Sequence, residues 1–467
     1  MLPVKATTSV VVNRRAFRQL MLFSSSSSGT SSSSTGTSTS SSTSTSNNSD
    51  DSHPHESLLR FDMMTGTWVV YSSGRKNRPH QTDSSPTRIC LSELPRTDPE
   101  CPFCKGNEHM TPSAHLAKRG MRVVPNKYPA VAPLRVEEKH QHHMPFLIND
   151  GVMTNNQVPA VGFHEVVIES PYHNDHIATS IDNSMARNLL TAFRDRGREH
   201  REYDDIEHTV FFKNHGSTAG ASIVHPHSQI VSTPVVPVEA ERLQSLAWQY
   251  FKTHRTNMYE RIIDEELTLH RSRHHHHHHR GWSGKNDGSG GGGGGGSGNN
   301  DNNNNNSSGQ SRLVEMTENF IALVPYASPG PYVINILPRF HAAGLKHDDG
   351  IGGGGGGGGL DSSDFTTLPD DLIDECAAVL WSCLYRLHTH CQEPDFNLVV
   401  QTAPVPQRGV QAALSSSAFF RWHIRITPRL GAGAMAGFEL GSGLFSNCNM
   451  PEDDAEELRA VAPLFME

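Results

Sequence analysis

Residues 209–237 read TVFFKNHGSTAGASIVHPHSQIVSTPVVP. Apolar residues alternate at both ends, and the middle is rich in Gly, Ala and Ser. The pattern predicts a strand, a tight loop and a returning strand. His225-Pro226-His227 puts two imidazoles at i and i+2 on the returning strand, so both face one side. Pro226 cannot donate a ladder hydrogen bond, which places the motif at a strand end or an edge, where a site can open. Gln229 is the next residue on that face and offers an amide N–H to an oxyanion. In the loop, Gly216 and Gly220, with Ser217, Ala219, Ala221 and Ser222, let backbone N–H groups approach a phosphate, and Asn214 starts the turn. An imidazole beside an anion cradle is the arrangement that nucleophilic attack on phosphorus requires. Histidine suits it, being largely unprotonated near pH 7.

Outward from this stretch, LLRFDMMTGTWVVYSS (58–73) predicts a hairpin turning at Thr65-Gly66, with Arg75, Lys76 and Arg78 at its exit. MRVVPNKYPAV (121–131) and GFHEVVIESPYH (162–173) read as strands. SMARNLLTAFRDRGREH (184–200) and VEAERLQSLAWQYFKTH (238–254) read as helices. After a His/Gly/Asn tract, ENFIALVPYASPGPYVINILPRF gives two strands, 371–391 a helix, and FNLVVQTAP and RWHIRITPRL two more strands. The order strand, strand, helix, strand, strand occurs in both halves and predicts a duplicated α+β chain, each half an antiparallel sheet with helices packed on it. The expected organisation is a Ser/Thr-rich tail over 1–55, an N-terminal domain over 56–255, a disordered low-complexity linker over 273–311, and a C-terminal domain over 314–467 with a Gly-rich insertion at 347–361.

Composition excludes several classes. Of 467 residues 35% are hydrophobic, and the poly-Ser and poly-Gly tracts account for much of that low share. Forty Lys and Arg against 49 Asp and Glu give a net charge of −9, which argues against gripping nucleic acid through bulk charge. No apolar run approaches the ~20 residues of a membrane span, so no membrane partner is expected. Seven cysteines in so long a chain do not make a disulfide scaffold; a reducing compartment and metal binding fit better. The first 23 residues carry Arg14, Arg15 and Arg18 without an acid and run into the Ser tract. That is either a cytosolic tail or a transit peptide, with mitochondrion ahead of plastid. The expected address is therefore the cytoplasm, or an organelle if the tail is cleaved.

Cys101-Pro-Phe-Cys104 has the spacing at which two thiolates take one tetrahedral ion. Two further ligands are needed. His173 and His176 both stand near the end of the 162–173 strand, and either His225 or His227 supplies the fourth. Such a Cys2His2 set closes the ion off from chemistry and pins the strand. Arg75 and Arg78 can hold a phosphate bidentately or be ordinary surface charge.

Taken together, TGTWVVYSSGRKNRP, CPFC, PNKYPAV, GFHEVVIESPYH, NHGSTAGASIVHPHSQ, RWHIRITPRL and GFELGSG resemble the galactose-1-phosphate uridylyltransferase family of the histidine-triad superfamily, a group that includes the plant-type ADP-glucose phosphorylases. The resemblance is strong over about 58–240 and thinner over 314–467. It implies two histidine-triad-like repeats, commonly paired as a homodimer. It implies that His227 is the nucleophile and that Gln229 hydrogen-bonds the transferred phosphoryl group. Cys101, Cys104, His173 and His225 would bind zinc. Asn214, Gly220 and Ser222 would line the phosphate pocket, Arg75 and Arg78 would reach phosphates, and Asn126 would contact the nucleoside. The implied reaction is ping-pong: UDP-glucose gives its nucleotidyl group to His227, and galactose 1-phosphate takes it. The alternatives are an ADP-glucose phosphorylase and a non-catalytic, zinc-stabilised nucleotide-binding protein. Arg421 stands where some relatives have His, which argues against a second metal in the C-terminal half.

Overall fold

A computed structural model describes residues 57–72, 91–118, 120–133, 160–279, 310–339, 361–406, 416–430 and 437–462. The Ser/Thr tail, Arg75 and Arg78, most of the low-complexity linker and nearly all of the Gly tract lie outside the described residues.

The first repeat runs β3 (Leu116–Lys118), β4 (Met121–Pro125), β5 (Phe163–Ile168), α1 (Ser184–His200), β6 (His208–His215) and β7 (His227–Thr233). The second runs β8 (Leu313–Met316), β9 (Phe320–Leu323), β10 (Ile334–Pro338), α4 (Asp370–His390), β11 (Phe396–Gln401) and β12 (His423–Pro428). The strands form a ten-stranded sheet in the order β3-β4-β5-β7-β6-β11-β12-β10-β9-β8. Each half has the same strand order counted inward from its own edge, so the duplication expected from sequence is present. The halves meet where β6 and β11 pair antiparallel, with Asn214 opposite Asn397 and Phe212 opposite Val399. What sequence divides into two domains is thus joined by one hydrogen-bonded sheet.

Alternation along the strands decides which residues the site can use. Val167, Phe211 and Ile230 of the first repeat point to α1, packing with Leu189, Leu190 and Phe193. Leu398, Val400, Ile424 and Ile426 of the second point to α4, with Val379 and Leu380. The two layers form one apolar core. Gly197 lets α1 approach closely: a Cβ there would meet the Phe211 ring at 2.6 Å and Thr366 at 2.8 Å. The residues between these, His164, Val166, Asn214, His227, Gln229, Asn397 and Arg425, fall on the opposite face.

That face is covered differently in the two halves. Over the second repeat, α2 (Val238–His254) and α3 (Met258–His279) pack with Met64 of the hairpin turn. Leu243, Ala247, Tyr259 and Ile263 meet Ile321, Leu323, Leu337 and Phe420 there. Sequence reading expected the low-complexity linker from residue 273; the helix instead carries through to His279. Its buried stripe at Met258, Tyr259 and Ile263 explains the helix, since an amphipathic face gains more from packing than from local propensity. The hairpin itself, β1 (Leu58–Asp62) and β2 (Thr67–Tyr71), forms as expected and pairs with β13 (Phe445–Asn447). Short α5 (Gly437–Ser442) and α6 (Pro451–Ala460) end the described chain. No described helix is long and apolar enough to cross a membrane.

Candidate active site

Over the first repeat the CPFC loop packs on the outer face near the His-Pro-His strand. Phe103 of that loop stands over both rings, 5.9 Å from His225 and 5.5 Å from His227. Its neighbours Cys101 and Cys104 are buried with Val124, Val166 and Ile168. The ligand atoms of Cys101, Cys104, His173 and His225 all lie within 4.8 Å of one another, so this group could hold one metal ion. Cys104 Sγ is 3.6 Å from Nδ1 of His173 and 3.6 Å from Nδ1 of His225. His176, the other candidate from sequence, packs instead against His215, ring centres 4.3 Å apart.

The chemistry of the four residues fits a dication. His225 Nε2–H donates to the Ser170 carbonyl at 2.9 Å, so Nδ1 turns its lone pair toward Cys104. Burial lowers the His225 pKa to about 4, keeping the ring neutral as a ligand must be. The Asp98 N–H lies 3.3 Å from Cys104 Sγ. Burial pushes the Cys101 thiol up to about 11, so a thiolate here needs a nearby positive charge, which a metal ion supplies.

His227 begins β7. Sequence reading put it at an open strand end; its residue surface is only 9% exposed, so the ring is mostly buried. Its Nδ1 is 2.9 Å from the His225 carbonyl. A carbonyl only accepts, so Nδ1 carries the proton and Nε2 keeps a lone pair. Burial lowers the pKa, the His225 carbonyl opposes this, and the ring is neutral near pH 7. Beneath the strand, Lys213 Nζ donates to Glu169 at 2.8 and 3.0 Å and to the His227 carbonyl at 3.2 Å, while Ser228 Oγ bonds the same carboxylate. This buried pair ties β5, β6 and β7 together under the imidazole, and the sequence reading did not single it out.

Gln229 and Asn126 come together at His164. Ala130 N–H donates to His164 Nδ1 at 2.9 Å, so Nε2 carries the proton and donates to Gln229 Oε1 at 2.8 Å. With that proton placed, Asn126 Nδ2, 2.9 Å from the same nitrogen, is a neighbour rather than a hydrogen-bond partner. Gln229 thereby presents its NH2 as the remaining polar group. His164 was missed although its parity with Val166 and Ile168 marks it as facing Gln229.

The Gly-rich loop leaves β6 and folds over its end. Gly216 has φ +83°, and a Cβ there would lie 1.8 Å from the Asp395 carboxylate. Asp395 accepts from the Thr218 N–H at 2.8 Å and the Thr218 hydroxyl at 2.6 Å. Gly220 (φ +88°) is exposed at the loop end beside Asn214 Nδ2, and Ser222 is exposed two residues on. Asp395 and Asn397 come from the second repeat; contacts separated by more than 170 residues leave no local signal in the sequence.

Similarities to known proteins agree with this geometry. Residues 46–237 match the description "Galactose-1-phosphate uridyl transferase, N-terminal domain". ADP-glucose phosphorylase of Arabidopsis thaliana is 26% identical over 412 residues, covering 86% of this chain and 93% of that protein. Galactose-1-phosphate uridylyltransferase of Thermotoga maritima is 22% identical over 409 residues, covering 86% and 97%. In fold, the crystal structure of the Arabidopsis thaliana ADP-glucose phosphorylase with bound ADP-glucose superposes with a TM-score of 0.61 at 22% identity, covering 88% of this chain and all of that one. A uridylyltransferase structure gives 0.52 at 22% identity, covering 86% and 97%. Residues 46–237 thus match the N-terminal domain of the galactose-1-phosphate uridylyltransferases, and the chain shares the α+β fold of these phosphorylase and uridylyltransferase structures.

Proposed function

We propose that this protein transfers a nucleotidyl group from a nucleoside-diphosphate sugar through a covalent intermediate on His227. One observation carries the reading: the Nδ1–H of His227 is engaged by the His225 carbonyl, so a neutral imidazole keeps a lone pair on Nε2, on the sheet face that by register also carries Asn214 and Gln229. Nε2 attacks the α-phosphorus, the bond to the sugar-1-phosphate oxygen breaks, and sugar 1-phosphate leaves. The ring then carries the nucleotidyl group on Nε2 and the original proton on Nδ1. The His225 carbonyl stabilises the resulting cation. In the second half-reaction the acceptor oxygen attacks phosphorus and His227 returns as the neutral leaving group. Gln229 and Asn214 amides donate to the phosphoryl oxygens as negative charge grows there. Cys101, Cys104, His173 and His225 would hold a structural zinc ion, which would stiffen the strand end bearing His227. In this reading Asn126 would contact the nucleoside, and Arg75 and Arg78 would reach the phosphates. A homodimer is part of the same reading.

Two donor–acceptor pairs use these residues equally. Similarity to the Thermotoga maritima uridylyltransferase and the family domain match favour UDP-glucose with galactose 1-phosphate. The 26% identity over 93% of the Arabidopsis thaliana phosphorylase favours ADP-glucose with inorganic phosphate. The test mixes purified protein with each donor, labelled at the α-phosphate and with no acceptor, and looks for protein-bound label and released glucose 1-phosphate. The expected result is an adduct from one donor, absent in His227→Gly and discharged by the matching acceptor. Label that survives His227→Gly, or no adduct from either donor, overturns the reading; the second outcome favours a non-catalytic nucleotide-binding protein.

A further inference from the structure

The nucleophile and its loop belong to the first repeat, yet the orientation of one phosphate-facing amide traces to the second. Arg429 Nε donates to Asn397 Oδ1 at 2.6 Å. Arginine has no acceptor, so this contact fixes which end of the Asn397 amide is oxygen. Asn397 Nδ2 therefore points the other way, donating to Asn214 Oδ1 at 2.8 Å and to the Ala219 carbonyl at 2.8 Å. Asn214 has then spent its oxygen and must present Nδ2, which stands 3.7 Å from where a Cβ on Gly220 would lie. Each link is forced by the one before, starting from a group that can only donate.

We propose that Asn397 and Arg429 are positioning residues for nucleotidyl transfer, fixing the Asn214 amide so that its NH2, and never its carbonyl, meets the phosphoryl group. The proposal rests on the nucleotidyl-histidine reading above. It gives the second repeat a part in catalysis: across the β6–β11 seam it selects the sign of the dipole facing phosphate. An amide turned the other way puts a carbonyl oxygen against a phosphoryl oxygen, exchanging attraction for repulsion.

The test is a double-mutant cycle on the single-turnover rate of adduct formation, using the donor that labels the wild type. Asn397→Asp keeps the Arg429 contact but offers Asn214 only acceptors, so Asn214 turns its NH2 inward and its oxygen toward phosphate. That variant should form adduct about 100-fold more slowly. Asn397→Ala frees the amide without reversing it and should cost about tenfold. In an Asn214→Ala background, Asn397→Asp should change the rate by less than about threefold, because the group it acts through is gone. A full additional loss in that background, or a wild-type rate in Asn397→Asp alone, overturns the proposal; the first would mean that Asn397 acts by bracing the loop at Ala219. If thermal melting shows that Asn397→Asp does not fold, Arg429→Met, at an exposed position, serves in the same cycle with an expected loss of about threefold to tenfold that vanishes with Asn214→Ala. Should the wild type form no adduct, the nucleotidyl-histidine reading fails; should it label normally while the cycle is additive, only the positioning role fails.

Discussion

β7 and β12 occupy equivalent places in the two repeats and begin with the same side chain, yet their surroundings differ. His227 Nδ1 meets the carbonyl two residues back at 2.9 Å, and His423 Nδ1 does the same with Arg421 at 3.3 Å. The residues on either side separate them. Where the first repeat has His225 facing Cys104, the second has Arg421, 1% exposed, bonded to the Pro338 carbonyl and to Glu260 of α3 at 2.7 Å each. In place of Gln229 stands Arg425, bonded to Asn335 at 3.0 Å. Tyr259 and Phe420 close over His423, ring centres 6.0 and 6.5 Å away, and burial drives its pKa down to about 3. The duplicated backbone reproduces an imidazole with the right tautomer. What differs, among the described residues, is the covering: α2 and α3 pack over the second repeat.

The comparison can be broken most directly at the two histidines. His227→Gly should reduce adduct formation on the order of 10⁴-fold or more, as removal of a nucleophile does, whereas His423→Ala should leave the rate of the folded protein within about threefold. Equal losses would mean that both strands act on substrate. If the group at Cys101, Cys104, His173 and His225 holds the metal, Cys104→Ser should abolish bound zinc in elemental analysis and lower the unfolding free energy by several kcal/mol. Zinc that persists near one per chain would place it elsewhere. Trp422→Ala, in the core behind β12, should cost about 3–5 kcal/mol in denaturant unfolding while sparing the single-turnover rate of the protein that remains folded.

The smallest effect concerns acid. By strand register Glu165 of β5 corresponds to Ile334 of β10, and both are buried. Burial would raise the Glu165 pKa, but hydrogen bonds from His200 and Arg196 prevail and hold it at about 2, below its ordinary 4.5. A carboxylate whose folded pKa is depressed stabilises the protein above its ordinary pKa and loses that contribution as pH falls through the folded value. Stability should therefore drop by about 2–3 kcal/mol between pH ~4.5 and ~2. Glu165→Gln should remove that slope while costing stability at neutral pH, since Arg196 then lacks its anion. An unchanged slope would show that other carboxylates govern acid unfolding.

Much of this was legible in the chain. The helices at 184–200 and 238–254 fall where apolar spacing put them, and the strand–loop–strand of 209–237 folds as read. Of the two candidates beside the CPFC pair, only position in space separated His173 from His176. Strand β8, the terminal α6 and the carry-through of α3 were not legible, because short or polar segments owe their structure to the surfaces they meet. Lys213 reads as an ordinary strand residue; its ion pair with Glu169 needs β5 and β6 held at a fixed distance by β7 between them.

By itself the sequence determined the local chemistry: two imidazoles on one strand face, a small-residue loop beside them and a pair of thiols at ligand spacing, all set by backbone periods of a few residues. Only the tertiary structure decided which half α2 and α3 cover, which histidine joins the cysteines and which way the Asn214 amide points. Those choices depend on contacts between residues far apart in the chain, such as Arg421 with Glu260 or Asn397 with Asn214. No local pattern encodes them, because their energies exist only once the sheet has closed across its seam.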